Sequence, residues 1–138
     1  MPKLFRARLS GAALASAALA IGLFAPGTAI AAPPAAPAGD AANGAKLYAQ
    51  CKICHSTEAG KNGLGPSLKG IVGRKSATVA GFNYSAAMKS ANLTWTKPTL
   101  TDYLTAPMKK VPGTKMAFAG IANEKNRADV IAYLGTLK

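Results

Sequence analysis

The chain is short of nearly every group that acid–base, nucleophilic or metal chemistry requires. Its 138 residues include one histidine, two cysteines, one tryptophan and five acids. A structural zinc site takes four nitrogen or sulfur ligands, usually Cys and His, and this chain offers three. The lack of any cysteine beyond the pair argues against a disulfide-stapled secreted scaffold. No alternating or β-branched run is long enough for a βαβ unit, which removes the usual setting of a thioredoxin-like dithiol. No aromatic stacking platform is interleaved with the lysines, which argues against nucleic acid. The mostly apolar run from Leu9 to Phe24 is shorter than the ~20 residues of a spanning helix.

What chemistry remains is concentrated in Cys51-Lys52-Ile53-Cys54-His55, which holds both cysteines and the only histidine. Two thiols three positions apart share one face of a helical turn, with an imidazole projecting next to them. That arrangement suits covalent attachment of one haem: Cys51 and Cys54 add across two vinyl groups, and His55 reaches the iron. A plain disulfide would leave His55 without a role, and a bare dithiol redox module would leave it idle too.

Iron held by one histidine keeps a sixth position open, and no second histidine can fill it. Of four methionines, Met1 lies in the N-terminal leader. Met88 sits in a short apolar patch, where filling a core gap is its expected role. Met108 follows Pro107 at a helix end. Met116 is a lone thioether in the polar turn Pro112-Gly113-Thr114-Lys115-Met116, and is therefore the favoured ligand. A thioether stabilises ferrous iron and raises the potential relative to a second histidine. The rival is a haem enzyme with an open iron, a peroxidase or gas-binding protein, which would need a distal acid–base group.

The N-terminus carries Lys3, Arg6 and Arg8 and no acid before the apolar run, and Ala29-Ile30-Ala31 offers an A-x-A exit. This pattern predicts a secretory signal peptide over residues 1–31, cleaved after Ala31, and a periplasmic protein. Residues 32–39 read as an Ala/Pro-rich linker, and residues 40–138 as one domain. An uncleaved anchor, with the linker as a stalk, is the alternative. Three of the 17 basic residues leave with the signal, so 14 face five acids and the formal charge is +9. Such a surface suits nucleic acid, anionic membrane or an acidic protein face, and export favours the last. Lys109, Lys110 and Lys115 flank Met116 and are the expected docking set, with Lys52, Lys61 and Lys69 as weaker members.

Within the domain, Asp40 is the expected N-cap of a helix carrying Gly44, Leu47, Tyr48, Cys51 and Cys54 on one face. Residues 56–81 are glycine-rich and irregular, too long for a bare loop unless they wrap a flat cofactor. A short helix is expected after Ser85, and a firmer one from Thr96-Lys97-Pro98 through Leu100, Tyr103 and Leu104, stopped by Pro107. Lys109 to Met116 reads as a turn-rich loop. A last helix should start near Asn123 and run to the end on the stripe Val130, Tyr133, Leu134, Leu137, with Arg127 and Asp129 off it. The fold class is all-α, with terminal helices packed together and loops enclosing the cofactor.

From Asp40 onward the sequence resembles a class I cytochrome c of the small soluble mitochondrial and bacterial type. The resemblance rests on Cys51-Lys52-Ile53-Cys54-His55, Leu64-Gly65-Pro66-Ser67-Leu68, Gly73-Arg74-Lys75, Tyr84, Trp95 and Tyr103-Leu104. It extends through Val111-Pro112-Gly113-Thr114-Lys115-Met116-Ala117-Phe118 and Arg127-Ala128-Asp129-Val130-Ile131-Ala132-Tyr133-Leu134. It implies the cytochrome c fold and a single-electron carrier that is not an enzyme. Pro66 would accept the His55 ring N–H, and Arg74, Tyr84 and Trp95 would bond a buried propionate. Tyr103 would bond the Met116 sulfur, Thr114 would join the cofactor-binding set, and Gly44 would sit where the first helix crosses the last near Tyr133. The implied partners are acidic faces of a cytochrome bc complex, terminal oxidase, reaction centre or periplasmic dehydrogenase or reductase, met by a monomer. Two departures stand out. Met88 occupies a place where relatives often carry an asparagine in a buried water network. The first helix is also one residue shorter between Gly44 and Cys51 than in the mitochondrial form, which leaves the packing position open between Leu47 and Tyr48.

Overall fold

A computed structural model of the chain describes residues 37–138. The expected signal peptide and residues 32–36 of the linker lie outside the described residues. Six helices occur among the described residues: α1 Ala41–Leu47, α2 Ala49–Lys52, α3 Ala86–Ser90, α4 Lys97–Thr105, α5 Pro107–Lys110 and α6 Glu124–Leu134. The described residues contain no strand, only an isolated antiparallel bridge between Lys75 and Thr94. The architecture is all-α, and no described helix is long and apolar enough to cross a membrane.

The helix starts follow their side chains. Asp40 accepts from the N–H groups of Ala42 and Asn43, Ser85 from Met88, Thr96 from Thr99, and Asn123 from Asn126. Each cap satisfies a donor that the first turn leaves without an intrahelical partner. The stops are less simple than the sequence suggests. Ala106 leaves the helical region (φ −156°, ψ 81°), as a residue preceding proline is driven to do, and this ends α4. Pro107 then opens α5, because its fixed φ and missing N–H suit a first helical position. Lys109 and Lys110, expected in a loop, therefore lie on a short helix. The last helix stops at Leu134 instead of continuing to the end. Gly135 caps it, and the Thr136 hydroxyl bonds back to the Tyr133 carbonyl at 2.7 Å.

The terminal helices cross at Gly44. A Cβ there would overlap the Asp129 carbonyl and lie 2.9 Å from Tyr133 Cβ, so only glycine allows this approach. One turn on, Tyr48 takes the packing position and Leu47 stays half-buried. The Tyr48 ring lies 5.1 Å from that of Tyr133, tilted by 52°. The core continues through Ile71, Trp95, Leu100, Tyr103, Leu104 and Val130, and Met88 joins it as the gap-filler expected. The irregular segment gives Ile71 to that core, with Leu68 and Ala77 packed against it, and is pinned by polar bonds besides. Asn62 donates to the Ala80 carbonyl at 3.1 Å and accepts from the Ser67 N–H at 3.0 Å.

Arg127 and Asp129 fall off the apolar stripe of α6, as expected, and both are nonetheless buried. Arg127 donates to the carbonyls of Ile121 and Ala122 and fixes the entry to the helix. Asp129, with 0% exposure, accepts from the Asp40 backbone N–H at 2.6 Å, from Asn43 Nδ2 at 2.8 Å, and from Lys125 Nζ. Those bonds hold its carboxyl down to about 2, the Asp40 N–H contributing most. A carboxyl depressed in the folded state stabilises fully above its unfolded value of ~3.9, and loses that stabilisation as pH falls through the folded value. Asp129→Asn should therefore be less stable at neutral pH, with a shallower loss of stability between about pH 4 and pH 2. Guanidinium unfolding of both proteins across that range checks this. Parallel acid limbs would mean that another group carries the linkage.

Candidate cofactor site

The attachment motif is one continuous turn. The Cys51 and Lys52 N–H groups bond the Tyr48 carbonyl at 2.8 and 3.0 Å, and those of Cys54 and His55 bond the Cys51 carbonyl at 3.0 and 2.9 Å. Both thiols are free and half-buried. Burial, with Cys54 as a second cause, pushes the Cys51 thiol up. No group of three or more His, Cys, Asp or Glu side chains that could hold a metal ion occurs among the described residues.

His55 is held by its ring. Nδ1 lies 2.7 Å from the Pro66 carbonyl. A carbonyl only accepts, so Nδ1 carries the proton and Nε2 keeps its lone pair for a metal. Burial lowers the imidazole pKa against the opposing pull of the Pro66 bond, which favours the neutral, ligating form. Gly65 lets the ring lie where it does, since a Cβ there would sit 2.7 Å from Nδ1 and 2.8 Å from Nε2. That glycine is itself fixed by its N–H bond to the Cys54 carbonyl at 2.9 Å.

The second donor is built from α4 and the loop after α5. Tyr103 Oη donates to Met116 Sδ at 3.3 Å and lies 3.4 Å from Thr114 Oγ. Thr114 Oγ also accepts from the Met116 N–H at 3.3 Å. Thr114 can thus donate to the phenol while the phenol donates to sulfur, leaving one sulfur lone pair free. Burial raises the Tyr103 pKa, opposed by the Thr114 bond, and keeps the phenol a donor. Trp95 packs against Tyr103 with ring centroids 4.9 Å apart. Met116 and Cys51 both pack against the one hydrophobic core. Met108, by contrast, is 64% exposed.

Arg74 and Trp95 are brought together by the main chain, the Trp95 N–H bonding the Arg74 carbonyl at 2.9 Å. The Arg74 guanidinium donates to the carbonyls of Lys69 and Ser67 at 2.8 and 2.9 Å. Its pKa is lowered by burial and raised by nearby Tyr84. Tyr84 Oη accepts from the Val79 N–H at 3.3 Å, which leaves its own proton available. Lys109, Lys110 and Lys115 are exposed, but Lys110 reaches Asp102 at 2.9 Å. No carboxylate pairs with Lys109 or Lys115 among the described residues.

Three features escaped the sequence. Asn62 pins two loops across 18 residues, and no local pattern signals that. Tyr48 donates its hydroxyl to the His55 carbonyl at 3.2 Å, and burial pushes that phenol up to about 12. The seven-residue spacing, two helical turns, was the available signal. Ile53, next to Cys54 in the chain, and Leu64, between two glycines that approach the Cys54 carbonyl, are 78% and 83% exposed. An apolar residue alone between Gly63 and Gly65 could have flagged the second.

The residues therefore fit a covalently held haem: two free thiols on one face, one imidazole with a free Nε2, and one oriented thioether. The comparisons agree. The cytochrome c family model matches residues 41–138. Cytochrome c2 iso-2 of Magnetospirillum fulvum is 54% identical over 90 residues, covering 65% of this chain and 94% of that protein. Cytochrome c2 of Rhodoblastus acidophilus is 49% identical over 102 residues, covering 73% and 95%. The solved structure of cytochrome cH from Methylobacterium extorquens matches with a TM-score of 0.67 at 50% identity, over 71% of this chain and 99% of that one. The chain belongs to the cytochrome c family, electron-transfer proteins that carry covalently bound haem c.

Proposed function

We propose that this protein is an exported, periplasmic single-electron carrier whose iron is held by His55 and Met116. The reading rests on the pair of orienting hydrogen bonds, Pro66 to the imidazole and Tyr103 to the thioether, at 2.7 and 3.3 Å. Bound haem iron supplies the chemistry by cycling between its ferrous and ferric states. The protein's own residues hold both ligands in one geometry through that cycle, which keeps reorganisation small. Cys51 and Cys54 tether the group. Arg74, Tyr84 and Trp95 hold the buried propionate, Tyr84 through the proton its bond to Val79 leaves free. Thr114 relays between Tyr103 and the Met116 loop.

The leader over residues 1–31 directs export and is cleaved after Ala31, leaving the Ala/Pro segment ahead of the domain. Partners present acidic faces: a cytochrome bc complex, a terminal oxidase, a reaction centre, or a periplasmic dehydrogenase or reductase. Lys109 and Lys115 form the steering set, with Lys110 tied to Asp102, and the exposed Ile53 and Leu64 supply apolar contact beside Cys54.

Stopped-flow electron transfer to an acidic redox protein tests this. Lys109→Glu or Lys115→Glu should slow the second-order rate by about ten-fold at low salt, and Lys138→Glu much less. The difference should close as the Debye length shrinks from ~10 Å at 0.1 M to ~3 Å at 1 M. Equal slowing by all three would mean that net charge alone steers and that these lysines form no docking face.

A further inference from the structure

The buried Tyr48 hydroxyl has no packing purpose. Its ring stacks on Tyr133 with centroids 5.1 Å apart, and a phenylalanine would fill the same space. A hydroxyl buried at 3% exposure costs free energy unless it is bonded. Its partner is the backbone carbonyl of His55, at 3.2 Å. We infer that Tyr48 is a positioning residue for the iron-ligating histidine, acting through this bond to the His55 main chain. The inference rests on the assignment of His55 as an axial ligand.

Tyr48 brackets the attachment motif. Its carbonyl accepts from the Cys51 and Lys52 N–H groups and opens the turn that carries both thiols. Its hydroxyl reaches the far end of the same turn, at His55. The ring is anchored in turn on α6, the element crossed by α1 at Gly44. His55 is then held at three points: its backbone N–H bonds the Cys51 carbonyl at 2.9 Å, Pro66 fixes its ring through Nδ1, and the Tyr48 hydroxyl holds its carbonyl. The Cys51 bond fixes the peptide ahead of His55, and only the Tyr48 bond fixes the carbonyl that follows it. With all three, the direction of Nε2 is set by the fold before any metal binds, and the helix crossing is wired to the ligand.

The bond also has an electrostatic sense. A phenol O–H turns its positive end toward the carbonyl oxygen and offsets part of that oxygen's negative charge. Without the hydroxyl, the carbonyl of the ligand residue presents a more negative potential to the iron, which favours the ferric state. Tyr48→Phe should therefore lower the reduction potential. The loosened imidazole should also displace the haem-methyl proton resonances of the ferric protein, which report the orientation of the axial ligands.

The experiment compares wild-type, Tyr48→Phe and Tyr133→Leu holoproteins by redox titration, proton NMR and thermal melting. Tyr133→Leu removes the ring contact but keeps the hydroxyl. The expected result is a lower potential and displaced haem-methyl resonances in Tyr48→Phe, and a lower melting temperature without displaced resonances in Tyr133→Leu. A Tyr48→Phe protein with wild-type potential and resonances would overturn the inference, whatever its melting temperature. Equal displacement in Tyr133→Leu would overturn it too, by assigning the effect to packing. A wild-type protein without low-spin, histidine-ligated iron would instead remove the ligand assignment beneath it.

Discussion

Replacing Cys51 and Cys54 together by alanine is expected to abolish covalent haem and most of the folded structure with it. No helix lies between Lys52 and Ala86 among the described residues, and that long segment is held by Ile71 in the core and by point contacts such as Asn62 to Ala80. A domain of about 100 residues has a marginal core at best, and a cofactor bound only by the folded state adds its binding free energy to folding. Cys51, Leu68, Met116 and Phe118 are only partly buried against the core, so a bound haem would have apolar surface left to cover. α1 and α6 have their own contact through Gly44, Tyr48 and Asp129, and should keep the most residual helix. Intact mass and far-ultraviolet circular dichroism decide the matter. Wild type should carry the added mass of one haem, and the double variant should show neither that mass nor the native helical signal. A double variant that keeps both would overturn the attachment site; one that keeps only the helical signal would mean that the protein core is sufficient without the cofactor.

Much of this was readable from the chain, for identifiable reasons. Asp40, Ser85, Thr96 and Asn123 act over three residues or fewer, so local sequence carries their role as caps. The attachment motif is contiguous, and with a single histidine the search for a second donor falls to the methionines. What was not readable depends on distance or on a second packing face. Arg127 and Asp129 fall off the apolar stripe, and periodicity, which registers apolar side chains only, gives no sign of their burial. Their burial is made tolerable by carbonyls and amides from elsewhere in the chain, the Asp40 N–H among them, 89 residues away. Leu47 and Tyr48 are adjacent and both able to pack, and only the approach of Tyr133 decides between them. Pro107 was legible as a stop but not as a start, since proline serves both roles and the conformation of Met108 to Lys110 decides between them.

Met116→His is expected to keep the iron six-coordinate while lowering the reduction potential by on the order of a few tenths of a volt, within the roughly 0.8 V that axial ligands command. Imidazole donates more strongly than thioether and favours ferric iron. The change also strands Tyr103, whose hydroxyl now donates to Met116 Sδ at 3.3 Å and must fall back on Thr114. Met116→Ala removes the donor altogether. That variant should bind carbon monoxide, whereas the wild-type spectrum should stay unchanged under the gas if Met116 fills the sixth position. Met88→Leu and Met108→Leu should leave the sulfur-to-iron band intact, since Met88 fills the core and Met108 is exposed. If Met116→Leu retained that band and Met108→Leu lost it, the ligand would be Met108. The Tyr103–Met116 bond would then orient a sulfur that never meets iron.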